Sequence, residues 1–248
     1  MKKLSILLIT FLITTSCKEK TKTITQDEMV VETDLKSEKE EWTMLFDGNS
    51  FEGWKYYRAE QVTEPWKLEN GAMVFYPPKE RNDESYNIVT EKEYTNFILS
   101  LEWKISEGGN SGIFWGIFED EKYVKPYETG PEIQVLDNER HPDAKNGPTR
   151  QAGALYDMVP PSSSEAVKPA GEWNTVELMV NHKTNKGYAK LNGEMVVEFP
   201  VHGEVWDTMI TNSKFNGWEG FGKYKTGRIG LQDHADIVSY RNIKIKEL

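Results

Sequence analysis

The feature that most constrains this chain is a two-residue alternation of apolar and polar side chains, punctuated by Asn-Gly pairs. Across residues 96–105, Phe97, Leu99, Leu101, Trp103 and Ile105 take one parity, while Ser100, Glu102 and Lys104 take the other. Successive side chains of an extended backbone point to opposite faces, so this pattern predicts a half-buried strand. Residues 175–181 alternate in the same way through Val176, Leu178 and Val180. Residues 66–75 are interrupted by Asn70-Gly71 and residues 188–199 by Asn192-Gly193. Both interruptions predict two-residue hairpins, because the central positions of such turns need positive φ, which Asn and Gly adopt at least cost. Residues 227–231 and 242–246 read as further strands, and no window carries the period of a long amphipathic helix. Many short strands with frequent turns predict an all-β fold, a jelly-roll sandwich of two antiparallel sheets with one concave face.

The single cysteine, Cys17, excludes a disulfide framework and a thiolate zinc site in the domain. It follows Lys2 and Lys3, an apolar run over residues 4–13, and the small residues Thr14, Thr15 and Ser16. That order is a secretory leader, and with the cysteine it resembles the lipobox of bacterial lipoproteins, departing from it at Thr14 where Leu is usual. The expectation is a leader at 1–16, a lipidated Cys17, a solvated tether over 17–40, and one domain over 41–248. The protein would sit in the cell envelope, at the outer membrane on its periplasmic side or the cell surface. Its only membrane contact would be the lipid anchor. A net charge of −10 argues against nucleic acid as a partner. Eight Trp and eleven Tyr suit a β-rich core, and they also suit a surface on which sugar rings stack.

Four segments could carry chemistry. In Pro131-Glu132-Ile133-Gln134-Val135-Leu136-Asp137, strand parity puts Glu132 and Gln134 on the face opposite Ile133 and Val135. Asp137 has the other parity and precedes Asn138, which makes it a turn residue. In Gly227-Arg228-Ile229-Gly230-Leu231-Gln232-Asp233-His234, Gln232 and His234 share the outward parity. Histidine is the usual proton-transfer side chain near neutral pH. Asn110, Ser111 and Trp115 follow a Gly108-Gly109 turn and suit hydrogen bonding and stacking to a sugar. Tyr156 and Asp157 follow Gly153, and Asp157 fits a second carboxyl, a metal ligand or a turn former. Nucleotide-binding loops, a hydrolase Ser elbow and a His-Glu-x-x-His zinc pattern are absent from the sequence. A divalent cation held by carboxylates and carbonyls stays open.

Together these segments resemble the 3-keto-disaccharide hydrolase family. The resemblance rests on Leu45-Phe46-Asp47-Gly48 through Gly53-Trp54, Trp66-Lys67-Leu68-Glu69-Asn70-Gly71, Asn110-Ser111-Gly112-Ile113-Phe114 and Pro131-Glu132-Ile133-Gln134. It continues through Gly153-Ala154-Leu155-Tyr156-Asp157, Glu172-Trp173-Asn174, Leu191-Asn192-Gly193 and the segment from Gly227 to His234. Ala235 departs from it, since Gly is expected after the histidine. The resemblance implies a concanavalin-like or laminarinase-like sandwich with a carbohydrate site on its concave face. It also implies action on an oligosaccharide or other glycoside oxidised at C3. A C3 ketone acidifies the C2 hydrogen, so a base at C2 can drive elimination of the C1 oxygen, with water adding afterwards. His234 or Glu132 would be the base, and the other of these or Asp157 the acid. Asn110, Gln134 and Gln232 would hold hydroxyls or the enolate, with Trp115 and Tyr156 at the sugar. Two alternatives fit the same surface: a laminarinase-type glycoside hydrolase, which needs a second carboxyl where Gln134 stands, and a glycan-binding module without catalysis.

Overall fold

The structure is a computed structural model describing residues 41–80 and 85–248. The leader, Cys17 and the tether expected from the sequence lie outside the described residues. Among the described residues, thirteen strands and one α-helix follow in order: β1 Thr43–Phe46, β2 Trp54–Tyr56, β3 Trp66–Glu69, β4 Ala72–Phe75, β5 Ile88–Thr90, β6 Phe97–Ile105 and β7 Asn110–Ile117. Then come β8 Glu132–Leu136, β9 Asn174–Asn181, β10 Lys186–Leu191, β11 Glu194–Phe199, α1 Glu204–Thr211, β12 Arg228–Leu231 and β13 Val238–Glu247.

They form the two antiparallel sheets of a jelly-roll sandwich. The larger sheet runs β11-β10-β9-β6-β13-β4-β3, with β1 also pairing β13, and the smaller runs β2-β5-β12-β7-β8. Strand β6 alternates buried and half-buried along its whole length, as its sequence predicts. Its buried face meets Ile113, Trp115, Ile133, Val135, Ile229 and Leu231 of the smaller sheet in one continuous core. Both predicted hairpins form. Asn70 and Gly71 join β3 to β4 with φ of 52° and 75°, and Asn192 and Gly193 join β10 to β11 with φ of 52° and 88°. No helix among the described residues is long and apolar enough to cross a membrane.

The outer face of the smaller sheet positions the site. Its register pairs Phe114 with Glu132 and with Gly230, and Gly112 with Gln134, so these residues share one face. The register shifts between Arg228 and Gly230, opposite Gly116, whose φ is 61°. Such a bulge re-aims the residues beyond it. Ile117 thereby joins Phe114, Val89 and Tyr57 in a small second apolar cluster, with Tyr127 packed against it.

Candidate active site

A hollow of about 260 Å³ opens on this face. Its floor is strand-borne: Asn110 from β7, Glu132 and Gln134 from β8, and Gln232 and His234 from the segment following β12. Four of these, Glu132, Gln134, Gln232 and His234, follow from strand parity, and Asn110 from its place after the Gly108-Gly109 turn. Tyr156, also expected, lines it as well. The backbone explains why: Tyr156 N–H donates to the Glu132 carbonyl (3.0 Å), and Gly153 N–H to the Gln134 carbonyl (2.9 Å), so residues 153–156 run along β8.

Gly112 makes room for the central carboxyl. A Cβ at residue 112 would lie 1.9 Å from Glu132 Oε1, so the carboxyl lies directly over this glycine. Glu132 is only 7% exposed. Burial pushes its pKa up to about 8; the charges of Lys214 and Arg150 oppose this and that of Asp143 reinforces it. Near neutral pH the carboxyl thus keeps its proton. Burial likewise holds the Lys214 ammonium below its ordinary value, against the pull of Glu132.

Around it, the amide oxygens Asn110 Oδ1, Gln134 Oε1 and Gln232 Oε1 are buried and have no protein hydrogen-bond donor. Each such acceptor costs about 1–3 kcal/mol unless something donates to it. Three of them converging on one hollow suit a ligand rich in hydroxyls.

The structure corrects three expectations. Trp115 faces the interior: it is 4% exposed and stacks on Phe199 at 5.6 Å. Its parity is that of Ile113, which put it on the core side from the start. Ser111 shares that parity and is fully buried between the sheets, bonded to Tyr240 Oη and the Gln232 carbonyl at 2.7 Å each. Asp157 does not line the hollow; it takes a φ of 59° and supports the wall. Its carboxylate accepts from Arg150 Nε (2.7 Å) and from Lys214 N–H (2.6 Å). Arg150 in turn donates to Tyr156 Oη (2.8 Å), and that hydroxyl donates to Asp143 Oδ2 (2.8 Å). Asp137 is the turn residue expected, accepting from the Gly108 and Glu139 amides.

The sequence reading missed the side wall. Tyr127, Lys214, Phe215 and Trp218 also line the hollow, and all four come from connections between strands. Phe215 stacks on Phe221 at 3.7 Å with Trp218 edge-on at 5.2 Å, and Lys214 Nζ lies 4.1 Å over the Tyr156 ring. The available signal was a run of large apolar residues, Phe215, Trp218 and Phe221, in a stretch without alternation. His141 and Asp236 were missed too. With His234 they offer three ligand atoms all within 4.8 Å of one another. Two imidazoles and a carboxylate suit a divalent transition ion, with coordination positions left open. His141 Nδ1 accepts the Asp143 amide at 3.1 Å, so its Nε2 is the nitrogen left for a ligand role.

A buried acid, an imidazole and unmatched amide oxygens beside an aromatic wall, on the outer face of a β-sandwich, define a carbohydrate-active enzyme. Residues 41–246 match the family described as the 3-keto-alpha-glucoside-1,2-lyase-like domain. The chain belongs to that family and is a glycoside-cleaving enzyme. It is 37% identical over 227 residues to the 3-keto-disaccharide hydrolase of Bacteroides thetaiotaomicron, spanning 82% of this chain and 77% of that one. Two crystal structures from Parabacteroides distasonis, each described as a "putative glycosyl hydrolase", share the fold. One has a TM-score of 0.77 and 32% identity, covering 91% of this chain and 98% of the other. The second has 0.62 and 25%, covering 84% and 100%.

Proposed function

We propose that this enzyme cleaves 3-keto-α-glucosides by elimination rather than by direct displacement at C1. The observation that carries this reading is the single carboxyl of the hollow, Glu132, protonated by burial and surrounded by acceptors. His234 takes the C2 proton, made acidic by the C3 ketone. The C2–H electron pair passes into the enolate and then becomes the C1=C2 double bond. The C1–O bond breaks with its pair remaining on oxygen, and Glu132 gives that oxygen its proton. The products are the free alcohol and an unsaturated 3-keto sugar, to which water can then add. Asn110, Gln134 and Gln232 accept from the sugar hydroxyls. Ordinary retaining or inverting hydrolysis needs a second carboxyl roughly 5–5.5 Å or 6.5–9.5 Å from the first, and the residues lining this hollow include none.

A second reading is favoured by the cluster of His141, His234 and Asp236. His141, His234 and Asp236 would hold such a cation, which would supply Lewis acidity for the C3 ketone; His234 would then be a ligand, and the C2 proton would pass to a different base. The deciding experiment incubates the protein with trehalose and an aryl α-glucoside, each in plain and 3-keto form, with and without EDTA, and reads products by mass spectrometry. Cleavage confined to the keto forms supports elimination, and cleavage of the plain glycosides overturns it. Loss of activity on chelation, restored by Mn²⁺ or Zn²⁺, selects the cation reading. The envelope location belongs to the same proposal: labelled palmitate should be incorporated by expressing cells and lost in Cys17→Ser.

A further inference from the structure

The elimination written above leaves one charge without a partner. As the C2 proton departs, its electron pair passes toward the C3 oxygen, and that oxygen becomes an enolate. The unmatched oxygens of Asn110, Gln134 and Gln232 are acceptors and cannot hold it. Glu132 gives its proton to the leaving oxygen at C1. Of the residues lining the hollow, Lys214 alone carries a fixed positive charge.

The ammonium of Lys214 is not committed to the fold. Asp157 and Asp143 act on its charge from nearby, but both carboxylates are held by other donors. Asp157 accepts from Arg150 Nε (2.7 Å) and from the Lys214 main-chain amide (2.6 Å). Asp143 accepts from Tyr156 Oη (2.8 Å) and from Asn146 Nδ2 (2.9 Å). Among the described residues, no carboxylate oxygen lies within 4.0 Å of Lys214 Nζ. The side chain is laid over aromatic faces instead, with Nζ 4.1 Å from the ring centre of Tyr156 and 5.1 Å from that of Phe215. Ring faces attract a cation without neutralising it. Lys214 is exposed, so solvent screens its charge in the free enzyme. A sugar ring seated in the hollow displaces that water. The neutral ketone offers the ammonium little in return, whereas the enolate offers a full negative charge. The gain is confined to the transition state, which is the kind of interaction that raises kcat.

We infer that Lys214 is a catalytic residue whose Nζ–H donates to the C3 oxygen as that oxygen becomes the enolate. The ammonium keeps its proton throughout. As the C3 carbonyl re-forms, the C2=C3 pair moves to C1=C2 and the C1–O bond breaks. This rests on the elimination reading and adds the group that holds its charge.

The test assays 3-ketotrehalose with the wild type, Lys214→Met and Lys214→Arg. Surface lysines tolerate such changes, and circular dichroism checks the fold; Lys214→Gln replaces the Met variant if that one is impaired. Lys214→Met keeps the stem and removes the charge. It should lower kcat by about 10²–10³-fold, the loss that follows removal of one oxyanion donor, and leave KM within about threefold. Lys214→Arg keeps a charged donor and should hold kcat within about tenfold of wild type. A Lys214→Met effect confined to KM, or a kcat within about threefold of wild type, overturns the role and leaves elimination standing. Equal losses of kcat in the Met and Arg variants also overturn it, because charge would then not be what the reaction needs. If the wild type cleaves no keto glycoside, elimination falls and this role falls with it.

Discussion

At Gly112 the absence of a side chain is itself the functional feature. The Glu132 carboxyl occupies the volume that any Cβ would fill, at 1.9 Å from Oε1. Gly112→Ala should therefore cut kcat/KM by at least about a hundredfold while the protein still folds. Circular dichroism and a thermal melt would confirm folding alongside the assay. Glu132→Gln keeps the shape and removes the proton, and should do as much harm with a disaccharide leaving group. It should do less with a nitrophenolate, which departs without protonation. A different residue-scale prediction concerns Ala235, which holds a φ of 68°. A side chain there is strained, and Gly is the residue that the family resemblance led us to expect. Ala235→Gly should raise stability by roughly 0.5–1 kcal/mol, the strain relieved being partly offset by a more flexible unfolded chain. Denaturant unfolding at constant m-value would measure it.

Elements differ in how much of themselves they disclose in sequence. The strands β6, β8 and β9 and the two Asn-Gly hairpins were legible because period and turn chemistry are local properties. Glu132, Gln134 and Gln232 followed from parity once the apolar face was known. Trp115 was misassigned for the opposite reason: its aromatic ring suggested sugar stacking, although its parity with Ile113 said core. Trp115→Ala should accordingly destabilise by about 3–5 kcal/mol, as truncation of a buried aromatic does, and should affect activity only through folding. The wall was not legible. Lys214, Phe215 and Trp218 reach the hollow through a connection whose course is set by long-range bonds, among them Lys214 N–H to Asp157, 57 residues earlier in the chain. Asp157→Asn keeps the size and weakens that bond. It should raise KM severalfold with a smaller change in kcat, whereas a proton-transfer role for Asp157 would reduce kcat most.

On the scale of the whole molecule, the buried Glu132 and the half-buried His182 shape stability against pH, with opposite signs. Glu132 keeps its proton up to about 8, while in the unfolded chain a Glu loses it near 4.5. Folded protein then binds more protons than unfolded, so this contribution falls as pH rises from about 4.5 to 8, by a few kcal/mol in all. His182 is pushed down to about 4 by burial, with the positive charges of His202 and Lys225 adding to the effect. Between pH 4 and 6.5 the unfolded chain binds more protons there, so that contribution falls as the medium is acidified. Melts should show a loss of stability from about pH 6.5 to 8 that Glu132→Gln removes, and an acid-side loss that His182→Gln reduces. If the alkaline loss persists in Glu132→Gln, the carboxyl is not the buried acid described above. Finally, β8 is the last strand of the smaller sheet, yet its outer rim is covered by residues 153–156. A bare rim of unpaired amides would recruit strands from neighbouring copies into aggregates. Here the strip that covers it also delivers Tyr156 to the hollow, so solubility and catalysis share one stretch of chain. Libraries that diversify this stretch to alter specificity should yield more insoluble variants than libraries of equal size aimed at the loop carrying Phe215 and Trp218.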